Sequence, residues 1–182
     1  MTEWTVTPDP DDGRYGRLTG PLTDIACTLG RAGMVPGDGK REGDGATPAG
    51  WHPVRRVLYR PDRVAAPVTG LPVQALSPQD GWCDDPMSTA YNMPVRLPVP
   101  LSHETLWRDD NAYDLLVVLG YNDDPPIPGL GSAIFLHCLK PDNAPTEGCI
   151  AVAQQDLVRL LRQMRPGDAL MAGDADRVLA EP

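Results

Sequence analysis

A histidine and a cysteine stand at the two ends of one short excursion in this chain. The stretch reads Ala133-Ile134-Phe135-Leu136-His137-Cys138, a polar turn, then Thr146-Glu147-Gly148-Cys149-Ile150-Ala151. Such a pair can make a nucleophile. A thiol with an ordinary pKa of about 8.5 is mostly protonated at neutral pH, so a catalytic cysteine needs a base or a positive field beside it. His137 is the nearest base. Gly148 removes a side chain next to the sulfur, which admits a substrate and lets the Cys149 N–H face a developing oxyanion. The other thiols read differently: Cys27 sits in an apolar run as a small hydrophobe, and Cys138, by strand alternation, points away from His137 into the core. Zinc is the rival chemistry, with Cys83, His52 or His103 as further ligands. No Cys-x-x-Cys or His-x-x-x-His unit supports it, so the reading is no metal.

These residues need elements to hold them. Asp114 to Tyr121 and Ser132 to Cys138 are continuous apolar runs of strand length, expected in a central sheet, with His137 at a strand end. Beyond Ala153 the period changes. Leu157, Leu160, Leu161 and Met164 fall at i, i+3, i+4 and i+7, which predicts one amphipathic helix stopped by Pro166-Gly167. Its N-terminus follows Cys149 closely, so its positive end is expected to favour a thiolate. Ala169 to Ala172 reads as a last strand before a polar tail. Upstream, Trp4 to Thr7, Arg17 to Leu18, Asp24 to Leu29 and Trp51 to Tyr59 read as strands between turns. Pro36 to Gly45 is too polar and glycine-rich to pack and reads as a surface loop, and Pro61 to Pro100 reads as mostly irregular.

The chain has 182 residues, with 21 prolines, 18 glycines and one phenylalanine, which favours many short extended segments over long helices. One domain over residues 1–182 is the simplest expectation. A net charge of -9 repels phosphate backbones and anionic membrane surfaces, so nucleic acid is an unsuitable partner. No apolar run is long enough for membrane insertion, and the N-terminus shows no basic cluster followed by an apolar stretch. A cytoplasmic location is therefore expected, with the periplasm as the alternative if a signal has been removed, and the four cysteines are read as thiols.

Taken together, these residues resemble the L,D-transpeptidase catalytic family (YkuD type), whose signature is a histidine, a variable stretch, then Ser/Thr-His-Gly-Cys. His137 matches the family's general base, Thr146 its Ser/Thr, Gly148 its glycine and Cys149 its nucleophile. Glu42 to Gly50, with its Thr47-Pro48-Ala49-Gly50 turn, resembles the loop that opens the catalytic domain. Trp82-Cys83-Asp84-Asp85-Pro86 and Tyr91-Asn92 resemble one branch of the family. The similarity spans roughly residues 18–172. Glu147 stands where the family usually has histidine, Ala151 where it often has asparagine or arginine, and the His137 to Cys149 spacing is short. The resemblance implies a mainly β fold, a β-sandwich or open barrel with one helix after the nucleophile. It also implies that the carbonyl after His137 fixes the imidazole tautomer.

Its functional implication is cysteine-dependent acyl transfer on peptidoglycan stem peptides or muropeptides, at the bond between diaminopimelate and D-alanine, without a cofactor. With water as acceptor this is an L,D-carboxypeptidase of muropeptide recycling, the expected reading; with an amine it is an L,D-transpeptidase. A non-catalytic stem-binding module is the alternative of another class, and retention of His137 and Cys149 argues against it. For substrate binding, Asp84 or Asp85 can hold a free amino group or form a solvated turn, and Trp82 and Tyr91, beside Asn92, can be core or groove walls. Arg96 and Lys40 are surface charges unless an acidic peptide needs one of them.

Overall fold

The computed structural model describes residues 3–173. In chain order its strands are β1 (Glu3–Pro8), β2 (Tyr15–Gly20), β3 (Thr23–Thr28), β4 (Met34–Val35), β5 (Thr47–Pro48), β6 (Gly50–Tyr59), β7 (Val73–Ala75), β8 (Asp80–Cys83), β9 (Pro94–Arg96), β10 (His103–Thr105), β11 (Leu115–Leu119), β12 (Phe135–Cys138), β13 (Ile150–Val152) and β14 (Ala169–Ala172). One helix, α1 (Gln154–Leu161), falls between β13 and β14. The polar tail expected beyond this last strand lies outside the described residues, save for Gly173.

The main sheet runs β11-β12-β13-β3-β2-β1-β14-β6-β7, and β11 also pairs with β6. That extra pairing, Leu115 opposite Tyr59 through Leu119 opposite Val54, closes eight strands into a ring with β7 outside it. Closure removes the free edges that an open sheet would expose. The fold is mainly β with one helix after the cysteine, as expected, and the barrel is closed.

Alternation along the ring strands sorts side chains onto two faces. Trp4, Val6, Leu18, Cys27, Val57, Leu115, Val117, Leu136, Cys138, Ile150 and Leu170 meet in one buried cluster drawn from all eight ring strands. The stripe Leu157, Leu160, Leu161 and Met164 packs into the same cluster, which explains why an eight-residue helix without a side-chain N-cap holds. On the outer face of β6, β11 and β12 a second cluster forms from Leu58, Leu116, Val118 and Phe135 together with Leu76, Trp82, Leu106, Tyr113 and Cys149. A three-stranded sheet, β10-β8-β9, contributes its apolar side to that cluster.

In the connecting segments one expectation changes. The 61–100 stretch is mostly irregular, as expected, and carries only the short strands β7, β8 and β9, too brief and too interrupted by proline to show a period. The Pro36 to Gly45 segment lies at the surface, as expected, with Lys40 as the exception among its side chains. Lys40 is only 2% exposed, and its Nζ donates to Asp44 Oδ1 (2.5 Å) and to the Arg41 carbonyl (2.8 Å). Lys40 is therefore a buried, paired charge instead of a surface one, and it holds a polar loop in one shape.

Candidate active site

The site is built on the outer cluster. In β12, Leu136 and Cys138 face the ring interior, so Phe135 and His137 face outward. β13 runs parallel to β12 with Ala151 opposite His137, which brings Cys149, two residues earlier, to the same end of the ring. Cys149 and His137 line one cavity of about 980 Å³. Other lining residues are Glu42, Asp84, Glu104, Arg108, Tyr113 and Glu147.

Threonines set the position of Cys149. Thr146 Oγ1 accepts the Gly148 N–H (3.1 Å) and donates to the Cys149 carbonyl (2.6 Å), closing a three-residue turn under the nucleophile. Thr47, of the Thr-Pro turn, donates to the same carbonyl (3.4 Å) and accepts the Gly30 N–H (2.8 Å). Thr146 spends the Gly148 N–H on this turn, so that donor is taken and does not serve an oxyanion. Gly148 has φ +135°, and a Cβ there would stand 2.7 Å from the Ala46 carbonyl oxygen. Only glycine fits that turn without strain.

The sulfur donates to the Ala133 carbonyl (3.2 Å) and accepts the Phe135 N–H (3.4 Å). His137 Nδ1 lies 2.9 Å from the Cys138 carbonyl, an atom that can only accept, so Nδ1 carries the proton and Nε2 is the basic nitrogen. That is the tautomer expected above. Burial pushes the Cys149 thiol up to about 12; Glu104 adds to the rise, while the Phe135 N–H, Lys40 and Tyr113 oppose it. Burial likewise holds the His137 imidazole down at about 4, against the Cys138 carbonyl, which favours the charged ring. Both groups are thus neutral at rest. The helix field expected to favour a thiolate does not prevail, because β13 intervenes and α1 packs into the ring-interior cluster.

The remaining expected site residues scatter. Asp84 lines the cavity, and its Oδ1 is shielded from water without a hydrogen-bond partner. Asp85 closes a local turn by accepting the Met87 N–H (2.9 Å), the solvated-turn reading. Trp82 is core, edge-on to Phe135 at 5.1 Å, and Tyr91 is buried with its hydroxyl donating to Glu42 Oε2 (2.5 Å). Neither reaches the cavity wall. Asn92 is a clamp: Oδ1 accepts Trp82 Nε1–H (2.9 Å) and the Ala133 N–H (3.0 Å), while Nδ2 donates to the Tyr121 and Asn122 carbonyls. It reaches the site through Ala133, whose carbonyl takes the thiol, and through Trp82, which packs on Phe135. Arg96 pairs with Asp80 beside a separate hollow, so it is set apart from the nucleophile.

Glu147, in the family's histidine position, points outward and pairs with Arg31 at 2.9 Å. The second imidazole in the cavity wall belongs to His103 at the start of β10, whose Nδ1 lies 2.7 Å from the Leu101 carbonyl. Tyr113 and Glu104, which sequence reasoning passed over, flank the sulfur instead: the Tyr113 hydroxyl donates to Glu104 Oε1 (2.5 Å), and its ring stands edge-on to His137 at 5.3 Å.

A family model for the L,D-transpeptidase catalytic domain, YkuD, matches residues 11–176. The chain belongs to that family. Membership supports L,D-transpeptidase-type activity on peptidoglycan and implies stem-peptide substrates. No curated protein and no solved structure matches the chain. Among the described residues no helix is long and apolar enough to cross a membrane.

Proposed function

We propose that this YkuD-family protein is a cysteine L,D-carboxypeptidase that trims peptidoglycan stem peptides through a thioester on Cys149. The observation that carries the reading is the shared cavity, lined by both Cys149 and a His137 whose Nδ1–H is held by the Cys138 carbonyl so that Nε2 is the basic nitrogen. The Cys149 sulfur attacks the carbonyl carbon on the diaminopimelate side of the bond, and the thiol proton passes to His137 Nε2. The C–N bond then breaks. D-alanine leaves with that proton on its amine, a thioester remains, and water activated by His137 releases the shortened stem and restores the thiol.

The carboxylates around the cavity bear on substrate and acceptor together. Asp84, with one unpartnered oxygen, suits the free ammonium group of a diaminopimelate donor. An ammonium held by a carboxylate is not a nucleophile, so the acid-rich lining favours water as the acceptor. The rim acts in the same direction, because Glu42 is fixed by the hydroxyls of Tyr91 (2.5 Å) and Ser132 (2.7 Å) and does not swing aside for a second stem. Recycled muropeptides in the cytoplasm are the proposed source of stems.

Transpeptidation is the second reading, and the cavity volume of about 980 Å³ is what favours it, since that space admits part of an acceptor stem. Purified protein supplied with monomeric tetrapeptide muropeptides decides between them. Release of D-alanine with accumulation of tripeptides is expected. Cross-linked dimers would overturn water as the acceptor, and absence of any turnover or thioester would overturn the enzyme reading itself.

A further inference from the structure

The proposed mechanism leaves one reactive group beside the nucleophile unused. Tyr113 is 5% exposed, yet it forms part of the wall of the cavity that holds Cys149. Its ring is fixed edge-on between Phe135 (5.8 Å) and His137 (5.3 Å), and the Phe135 N–H already touches the sulfur. Its hydroxyl is anchored on Glu104 at 2.5 Å, and Glu104 stands 3.8 Å from Arg108, whose guanidinium also lies 5.2 Å from the Tyr113 ring centre. A phenol held this way has one proton and two acceptors within reach.

We propose that Tyr113 is a further catalytic residue, its Glu104-anchored hydroxyl donating a hydrogen bond to the Cys149 sulfur as the thiol yields its proton to His137. The proposal rests on the reading of Cys149 as nucleophile. At rest the sulfur is neutral and the hydroxyl donates to Glu104. When the sulfur becomes negative the O–H turns to it, no proton leaves the phenol, and Arg108 remains as the counter-charge for Glu104. Charge-assisted hydrogen bonds of this kind are the strong ones. Electrostatics agrees with the geometry: a Tyr113 hydrogen bond favours the thiolate, Lys40 favours it from a distance, and the Glu104 charge opposes it. Burial keeps the phenol itself protonated, pushing it well above its ordinary range. In this chain the hydroxyl supplies a donor where Glu147 has displaced the family's second imidazole.

Alkylation by iodoacetamide reads the sulfur without needing any peptide substrate. Cys149→Ala assigns the labelled thiol, and the second-order rate constant at pH 8 is compared between the unmodified protein and Tyr113→Phe. The expected result is a rate about tenfold lower in Tyr113→Phe, the loss that follows from a thiol pKa about one unit higher. Loosened packing alone would open the cavity and speed alkylation, so an unchanged or faster rate overturns the proposal. If thermal melting shows that Tyr113→Phe has not folded, Glu104→Gln carries the test. It keeps Tyr113 and an acceptor for it while removing the opposing charge, so alkylation should quicken; an unchanged or slower rate overturns the proposal. A slowed Tyr113→Phe in a protein that turns over no stem peptide would sink the carboxypeptidase reading and leave this one standing.

Discussion

On the two sides of β12 stand two thiols whose electrostatics are alike and whose chemistry is not. Cys138, facing the ring interior, and Cys149, beside the outward face, are both pushed up to about 12 by burial. Cys138 donates to the Leu115 carbonyl (3.4 Å) among Leu136, Ile150 and Val152 and is not part of the wall of the Cys149 cavity. Cys149 shares a cavity with a histidine whose Nε2 is the basic nitrogen. Reactivity here is therefore a matter of access and of a proton acceptor at the moment of attack, and a resting thiolate is no part of it.

Exchanging each thiol for alanine tests that contrast at its strongest. Cys149→Ala should abolish release of D-alanine with the fold intact, whereas Cys138→Ala should keep turnover and lose about 1–2 kcal/mol of stability, as expected for a small buried group removed from a packed core. Turnover lost in a folded Cys138→Ala protein would mean that the inward face takes part in the chemistry. His137→Ala should lower the rate of thioester formation by about 10² to 10⁴, the range usual for lost general acid–base help, with binding of the stem preserved. Pre-steady-state acylation measures this directly, and an unchanged rate would assign the base to another group.

A smaller effect sits in the turn that carries the outward thiol. Gly148→Ala puts a Cβ against the Ala46 carbonyl at a φ of +135°, so urea denaturation should show a loss of about 1–3 kcal/mol, together with slower turnover because Cys149 moves. An alanine variant as stable as the parent would show that the turn relaxes freely. The smallest effect is electrostatic. His137 is neutral in the fold with its pKa depressed to about 4, while the unfolded chain takes up the proton near 6.5. Between those values the unfolded state binds more protons, so His137 contributes stability that is present above about 6.5 and fades as pH falls toward 4. Comparing unfolding at pH 4.5 and pH 7 for the parent and His137→Gln should give a shallower acid loss in the variant; equal slopes would place a charged imidazole in the fold.

Much of this arrangement is legible in the sequence because single segments encode it. The runs at 114–121 and 132–138 are apolar enough to be central strands, and the Gly148-Cys149 pair after a Ser/Thr names its own turn. The helix stripe is equally plain. What the sequence conceals depends on segments far apart in the chain. Arg31 reaches Glu147 across 116 residues, so an exposed ion pair in a motif position carries no local sign of itself. Asn92 adopts φ +55° and clamps Ala133, a role set by backbone shape, where type alone suggested substrate binding. Tyr113 reads as the edge of an apolar run, and only the approach of β10, carrying Glu104, turns it toward the sulfur. A polar-tipped aromatic just before a central strand was the available signal. Lys40 is concealed for a different reason: its partner Asp44 lies in the same loop, and a local pairing inside a stretch of glycines and charges leaves no mark on composition.

The central claim is that Cys149, alone among four buried thiols, accepts the acyl group of a stem peptide. Intact-mass analysis of the protein quenched in acid after incubation with a tetrapeptide stem, followed by peptide mapping, measures it most directly. The account predicts a single adduct of stem mass less D-alanine, on Cys149, absent in Cys149→Ala and accumulating less in His137→Ala. An adduct on Cys27, Cys83 or Cys138, or turnover with no covalent species even in rapid quench, would contradict it.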